Sequence, residues 1–194
     1  MENVPKHGPL LIVANHIQLV DPILIGVLLS RKVSFMAKEE LFHSRFSRFF
    51  MRSFGAFPVR RGRVDKSAFS QANKILAKGR ALAMFPEGKR SNDLKLQPAF
   101  VGSALIAWRS GALILPIGVS GTEEVSGISW IWRRPRVVIN IGHPFSLPVV
   151  KGRLTKENRA ELTHSIMSHI AKLLPPEYQG NYAELSGETS GIDD

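Results

Sequence analysis

Short apolar runs alternate along the chain with longer segments in which apolar positions recur at helical spacing. The short runs are rich in Val, Ile, Leu and Ala, which is typical of strands that are covered on both faces. They predict strands at residues 10–14, 32–36, a short segment from 55, 80–85, 112–119 and 137–141. Because Pro116 falls inside the fifth run, we expect an edge strand or a bulge there.

The segments between these runs predict helices at residues 22–29, 42–54, 65–78, 98–110 and 155–174. Asp21 stands in the capping position of the first helix, with Pro22 at its first helical position. The alternation of strands and helices predicts an α/β fold, a single domain with a largely parallel or mixed central sheet flanked by helices. We expect this domain at residues 1–175 and a flexible tail, rich in Gly, Ser and acidic residues, at 176–194.

Composition restricts the chemistry. The 194 residues include no cysteine, which excludes disulfides, thiolate metal sites and a cysteine nucleophile. The formal net charge of +10 predicts anionic partners: phosphorylated substrates, an anionic membrane surface or nucleic acid. No apolar run approaches the ~20 residues of a spanning helix, and the first residues do not resemble a signal peptide. A soluble or peripheral protein is therefore expected, unless an anchoring segment upstream of Met1 is missing.

His16 and Asp21 stand just after the first apolar run, in the pattern H-x4-D. A loop between the predicted strand and helix allows the carboxylate to accept a hydrogen bond from one imidazole nitrogen. The other nitrogen is then left to act as a base. The alternative is a loop histidine beside a helix-capping aspartate, with no shared role.

A second polar loop, from Pro86 to Ser91, follows the fourth run. Gly88 permits a tight turn that can approach an anion, and Arg90 adds positive charge beside it. A carboxylate as close to a buried strand as that of Glu87 is expected to pair with an arginine or a substrate hydroxyl. Both loops lie at the carboxyl ends of predicted strands, where open α/β sheets place their ligands, so we expect the active site there.

Two segments combine aromatic and arginine side chains. Residues 42–54 carry phenylalanines near one helical face with arginines between them, and residues 129–136 combine tryptophans with arginines. Such segments suit a membrane interface, where rings enter the lipid and arginines stay among the headgroups. The alternatives are an amphipathic helix packed on the core and a turn with buried indoles.

In this order and spacing, the motifs resemble the four motif blocks of the glycerolipid acyltransferase family, most closely bacterial 1-acyl-glycerol-3-phosphate acyltransferases. The blocks are the His16–Asp21 pattern, the segment from Gly55 to Arg61, the loop from Phe85 to Ser91 and the run around Pro116. The resemblance extends over most of the chain, from about residue 10 to residue 148.

The resemblance implies that His16 is the general base for the acceptor hydroxyl and that Asp21 orients it. The substrate-binding residues that it implies are Lys38, Arg61, Glu87, Gly88 and Arg90. Among these, Arg61 would bind the glycerol phosphate, with Lys38 near that phosphate, and the other three would line the acceptor site. No metal is implied. Lys89 replaces a more usual threonine, and Arg60 stands where an acidic residue is frequent, so the acceptor is left open.

The implied function is transfer of a fatty acyl group from acyl-CoA or acyl carrier protein to the free hydroxyl of a lysophospholipid, 1-acyl-glycerol 3-phosphate above all, giving phosphatidic acid. No cofactor is implied besides the acyl donor. Expected partners are the donor, the lysophospholipid and an anionic membrane surface, without nucleic acid. The expected location is cytoplasmic, peripheral on the inner membrane face. The alternatives are another acceptor, such as glycerol 3-phosphate or another lysolipid, and a non-catalytic basic protein that binds lipid or nucleic acid.

Overall fold

The computed structural model describes residues 2–60, 65–125, 127, 130–148, 150 and 152–186. Within this part of the chain, the strands are β1 (Leu10–Ala14), β2 (Val33–Lys38), β3 (Ala56–Val59), β4 (Ala81–Met84), β5 (Leu113–Ser120) and β6 (Val138–Ile141). The helices are α1 (Asp21–Leu28), α2 (Arg45–Ser53), α3 (Lys66–Ala77), α4 (Gly102–Ser110), α5 (Trp130–Arg133) and α6 (Lys156–Ala171). None of the helices in the described ranges is both long and apolar enough to cross a membrane.

The strands form one mixed sheet in the order β3-β2-β4-β1-β5-β6. The first five are parallel, and β6 runs antiparallel to β5 at one edge of the sheet. The predicted α/β fold with a largely parallel or mixed sheet is therefore confirmed. Because the five parallel strands all end on the same side, the loops that follow them meet at one edge, which we call the carboxyl edge.

Side chains that alternate along the strands pack into two separate hydrophobic layers, one on each face of the sheet. Leu10 and Ile12 of β1 belong to the layer under α1, together with Ile25 of that helix and the residues that end α2. Leu11 and Val13 belong to the opposite layer, under α3, α4 and α6. A period of two along a strand places neighbouring side chains on opposite faces, so β1 is buried from both sides.

Pro116 lies in an interior strand, so of the two expected settings the edge strand is wrong. The other setting, a bulge, agrees with the register: between the Ile114–Phe145 and Ile117–Ile141 pairs, β5 advances three residues and its partner four. On one side it is in register with Val13 of β1. On the other side the ladder to β6 is interrupted: Ile114 bridges Phe145 in isolation, and regular pairing begins only at Ile117. The absent N–H of the proline falls in this gap, which is how a proline is accommodated inside a sheet.

The predicted helix 42–54 is shorter than expected. A 3-10 turn spans Glu39–Phe42 and buries Phe42, and α2 begins only after Ser44, whose side chain accepts a hydrogen bond from the N–H of Ser47 at 3.1 Å. A serine in the capping position satisfies one of the free N–H groups that open a helix, which fixes the start of α2 there.

Part of the expected tail is attached to the domain. Residues Pro176–Tyr178 and Gly180–Ser186 form 3-10 turns. Tyr178 is buried, and its hydroxyl donates a hydrogen bond to Glu123 Oε1 at 2.6 Å. The ordered domain therefore extends beyond residue 176, where the tail was expected to begin, because the aromatic ring of Tyr178 packs in the core. Residues 187–194 lie outside the described part of the chain.

Candidate active site

His16 and Asp21 form a buried hydrogen-bonded pair at the carboxyl edge. His16 Nδ1 and Asp21 Oδ2 are 2.8 Å apart, and Asp21 is completely buried. Since a carboxylate accepts hydrogen bonds, Nδ1 carries the proton of this hydrogen bond, and in the uncharged form of the ring the lone pair is on Nε2. This is the arrangement of a histidine that is held by a carboxylate and presents its second nitrogen as a base.

Asp21 also shapes the loop that carries the histidine. Its Oδ2 atom accepts the backbone N–H of Ile17 at 2.7 Å and that of Gln18 at 2.8 Å. Asp21 is the first residue of α1, and Val20 occupies the capping position without a side-chain bond, so the predicted capping role is wrong by one residue. The carboxylate faces back into the loop because those amides and the imidazole converge on one oxygen.

The backbone of His16 is held from two further directions. Its N–H donates to Glu87 Oε1 at 3.0 Å, and its carbonyl accepts the N–H of Ser91 at 2.7 Å. The preceding residue, Asn15, is buried and exchanges two hydrogen bonds of 2.8 and 2.7 Å with the backbone of Val119. The histidine loop is thus fixed both to the loop after β4 and to β5.

Glu87 lies beneath this loop, with only 1% of its surface exposed. Its second oxygen, Oε2, accepts the N–H of Gln97 at 2.8 Å, so each carboxylate oxygen holds a different backbone segment. Burial raises the pKa of Glu87 from 4.5 to about 7, against the two amide hydrogen bonds that lower it, and the carboxylates of Asp21 and Asp93 add to the rise.

This pKa makes stability depend on pH. Between pH 4.5 and about 7 the folded protein retains a proton on Glu87 that the unfolded chain has released, so stability falls as pH rises through this window. Relative to Glu87→Gln, the native chain should lose roughly 3 kcal/mol between about pH 4.5 and pH 8. Urea unfolding of both proteins at the two pH values measures the difference. A constant difference would contradict a buried carboxylate with a raised pKa.

Of the three remaining basic residues predicted for the site, two lie at the carboxyl edge with different partners, and the third is not described. Arg90 lies beside the histidine loop, with its Nη1 atom 3.2 Å from Gln18 Oε1. Lys38 ends β2 at the same edge, but its ammonium is paired with Glu40 at 3.0 Å, and both side chains are about half exposed. Arg61 lies outside the described residues.

Gly88 gives the second loop its sharp turn. Its φ of +67° is a conformation that favours glycine, and an added Cβ would lie 2.7 Å from the ring of Phe100. The N–H of Gly88 donates to the carbonyl of Phe85 at 3.0 Å, so it closes the turn. Gly88 therefore shapes the wall of the site and lets Phe100 approach it, without offering its own amide to an anion.

An apolar cavity of about 390 Å³ opens next to the histidine. Its wall includes Phe85, whose ring stacks on the imidazole of His16 with 4.1 Å between the ring centroids, and Gly88. The rest of the wall is largely apolar, contributed by residues that include Met36, Phe69 and Leu105. A cavity of this size and character suits an apolar ligand group, and Phe85 connects it to the imidazole.

Several of these contacts have little signal in the sequence. Asn15 is polar at the end of an apolar run, which is a weak hint that its side chain replaces missing backbone hydrogen bonds. Ser91 and Gln97 contribute backbone N–H groups, which any residue other than proline could supply. The stacking of Phe85 on His16 depends on the register of β1 against β4. These positions could be found only once the sheet order was known.

The fold and this site define a class of protein. Residues 1–120 match the family model described as Acyltransferase, and the chain belongs to that family. The family expected from the motif blocks is thereby confirmed.

Individual relatives give a more specific similarity than the family model does. The chain is 32% identical to the 1-acyl-sn-glycerol-3-phosphate acyltransferase of Streptococcus pneumoniae over 166 residues, which make up 84% of this chain and 60% of that protein. It is 29% identical to the enzyme of the same name from Bacillus subtilis, over 89% of this chain and 84% of that protein. The crystal structure of the 1-acyl-sn-glycerophosphate (LPA) acyltransferase, PlsC, from Thermotoga maritima matches with a TM-score of 0.63 at 28% identity, covering 85% of this chain and 66% of that chain.

Proposed function

We propose that this protein transfers a fatty acyl group from a thioester to the free hydroxyl of 1-acyl-glycerol 3-phosphate, giving phosphatidic acid. The observation that carries the proposal is the buried His16–Asp21 pair, whose Nε2 atom is available as a base beside an apolar cavity. The names of the relatives from Streptococcus and Bacillus support this acceptor.

The proton follows one route in the proposed reaction. The acceptor hydroxyl donates a hydrogen bond to Nε2 of His16, and its oxygen attacks the thioester carbonyl carbon while the proton moves to Nε2. Asp21 stabilises the imidazolium through its hydrogen bond to Nδ1. When the tetrahedral intermediate collapses, the carbon–sulfur bond breaks and the leaving thiolate takes the proton from Nε2. The imidazole is neutral again, and no covalent acyl-enzyme forms.

The phosphate of the acceptor is assigned to the basic residues of the carboxyl edge. Arg90 is the nearest to the catalytic loop, and its guanidinium can bind phosphate oxygens bidentately. Arg61 and Lys38 are proposed to add to this site, as their motif positions imply. Glu87 is proposed to hold the two loops rather than to contact the acceptor, because both of its oxygens accept backbone amides.

The apolar cavity is assigned to the acyl chain of the donor. Its wall includes Phe85, whose ring stacks on the imidazole of His16, so a thioester carbonyl at the mouth of the cavity would lie near the histidine. Both acyl-CoA and acyl carrier protein are proposed as donors, because each presents a fatty thioester on an anionic carrier. No metal or further cofactor is required by this route.

An acceptor panel tests the assignment. Thiol release from acyl-CoA is measured with 1-acyl-glycerol 3-phosphate, with glycerol 3-phosphate and with lysophosphatidylcholine. We expect release to depend on the acceptor and to be fastest with 1-acyl-glycerol 3-phosphate. Faster turnover with glycerol 3-phosphate would move the assignment to that acceptor. Release without any acceptor would indicate a thioesterase.

Replacing Arg90 with alanine should raise the KM for 1-acyl-glycerol 3-phosphate by about tenfold or more, because a charge-assisted hydrogen bond to the phosphate is lost. The kcat should change less, since the base is untouched. Arg80→Ala is the matched control: this arginine is exposed where β4 begins, at the opposite edge of the sheet, and its loss should leave KM unchanged. Equal effects of the two substitutions would contradict an acceptor site at Arg90.

We also propose that the protein acts peripherally on the cytoplasmic face of the inner membrane, where its lipid acceptor would be found. The support is the positive charge of the chain and the exposure of phenylalanines on α2.

A further inference from the structure

Helix α2 has an apolar side that the core does not use. None of its residues is buried, and the side chains of Phe46 and Phe49 are 82% and 73% exposed, with Phe50 also exposed. Single exposed apolar residues are common in proteins, but three phenylalanines in five consecutive positions form a patch. Desolvating such rings is favourable, so this surface is expected to have a binding partner.

Helix α1 extends the patch on the same face of the sheet. The ring of Phe54, at the end of α2, approaches Gly26 of α1 so closely that an added Cβ there would lie 3.0 Å from it. The neighbouring Ile23 and Val27 of α1 are exposed, and so is Leu19. Leu19 belongs to the loop between His16 and Asp21, so exposed apolar side chains on this face extend as far as that loop.

Arginines accompany the phenylalanines on α2. Arg45, Arg48 and Arg52 follow one another at helical spacing and line a surface groove with Phe49. Arg48 donates a hydrogen bond to the carbonyl of Phe42 at 2.9 Å, whereas Arg45 and Arg52 point from exposed positions on the same helix. A short helix with rings on one side and guanidinium groups beside them matches the boundary between lipid headgroups and acyl chains.

We infer that the α1/α2 surface, made of Leu19, Ile23, Val27, Phe46, Phe49 and Phe50 with the three arginines of α2, docks on an anionic phospholipid bilayer. The phenylalanines enter the acyl-chain boundary, and Arg45 and Arg52 bind lipid phosphates. An acidic protein could neutralise the arginines, but its charged surface would not bury the exposed phenylalanine rings. A bilayer offers both anionic headgroups and an apolar interior, so charge and apolar surface together favour lipid.

The orientation has a consequence for catalysis, which rests on the proposed function. Since Leu19 lies between the two residues of the catalytic pair, docking of this face brings the loop that carries His16 to headgroup depth. The reactive hydroxyl of a lysophospholipid lies at the same depth. The acceptor can then reach Nε2 of His16 without leaving the bilayer completely.

The test measures sedimentation of the protein with vesicles of phosphatidylcholine mixed with phosphatidylglycerol, and with vesicles of phosphatidylcholine alone. The whole set is made in the His16→Ala background, so that binding is read without turnover. Phe46→Ser/Phe49→Ser should weaken binding to the mixed vesicles at least roughly tenfold. Arg45→Glu/Arg52→Glu should weaken it roughly tenfold or more, and only where phosphatidylglycerol is present.

Lys74→Glu/Lys156→Glu is the matched control for charge. Both lysines are exposed on helices of the opposite face, and the change in net charge is the same, so binding should stay within about twofold of the parent. Equal losses in the two charge variants would overturn the inference, because the charge of the whole chain would then decide binding. Vesicle binding that is indifferent to Phe46 and Phe49 would also overturn it. So would self-association without lipid that the serine variant abolishes, since a second copy would then cover the surface.

These outcomes are independent of the proposed function. Absence of acyl transfer by the native chain, with vesicle binding intact, would count against the reaction and leave the docking surface in place.

Discussion

Replacing His16 with alanine is expected to lower kcat by about 10²- to 10⁴-fold, the usual contribution of a positioned general base. The loop should keep its shape, because the Asp21 carboxylate still accepts the N–H groups of Ile17 and Gln18. KM for the acceptor should change little, since its phosphate is held elsewhere. Acceptor-dependent thiol release from acyl-CoA, measured at saturating substrate, gives the comparison.

His143→Ala is the matched control for this experiment. His143 is exposed and follows β6. This strand forms one edge of the sheet and is separated from β1, which precedes His16, by β5. Its replacement should leave kcat unchanged. If His16→Ala retained most of its turnover while unfolding at the same urea concentration as the native chain, the histidine would be a structural residue and the proposed proton route would be wrong.

Glu87→Gln should lower kcat by about 10²-fold, because a shift of the catalytic group of about 1 Å can cost that much. A glutamine side chain has one carbonyl oxygen and one NH2 group, so it can accept only one of the two amides, from His16 and Gln97, that Glu87 accepts. The histidine loop or the Gln97 segment must then move. KM for the acceptor should stay within about twofold if Glu87 positions the loop without contacting substrate.

The pH dependence of kcat distinguishes a positioning role of Glu87 from a general loss of stability in Glu87→Gln. In the native chain, protonation of Glu87 removes one of its two acceptor oxygens, as the glutamine does, so kcat should fall about 10²-fold as pH drops through the Glu87 pKa of about 7. In Glu87→Gln this step in the pH profile of kcat should be absent. Glu161→Gln, an exposed carboxylate on α6, serves as the control and should keep the native profile. A raised KM with kcat unchanged would instead make Glu87 an acceptor contact.

The architecture was largely predictable because burial from both faces leaves a strong pattern. The five residues of β1 are all buried, and the sequence shows this as an uninterrupted apolar run. The place of the site followed from the same logic, since polar residues directly after two such runs must meet at the carboxyl edge. Helix ends were less accurate. The side chain of Ser44 fixes the start of α2, and Val20 precedes α1 without a side-chain cap; apolar periodicity encodes neither.

The site itself was only partly predictable. The pairing of His16 with Asp21 is local, so their spacing was informative. The role of Glu87 was not, because its partners are the backbone amides of His16 and Gln97, at sequence separations of 71 and 10 residues. The phenylalanines on α2 were visible in the sequence, but their role was ambiguous. Their spacing fitted both a core helix and an interfacial helix, and only the exposure of Phe46 and Phe49 separates the two.

The most direct test of the account identifies the product. The protein is incubated with acyl-CoA and 1-acyl-glycerol 3-phosphate carrying a deuterated glycerol, and the lipids are analysed by mass spectrometry beside the thiol that is released. We predict deuterated phosphatidic acid in an amount equal to the thiol, and at most about 1% of either product in the same time with His16→Ala. Free fatty acid in place of phosphatidic acid, or equal product from the His16→Ala protein, would contradict acyl transfer by this histidine.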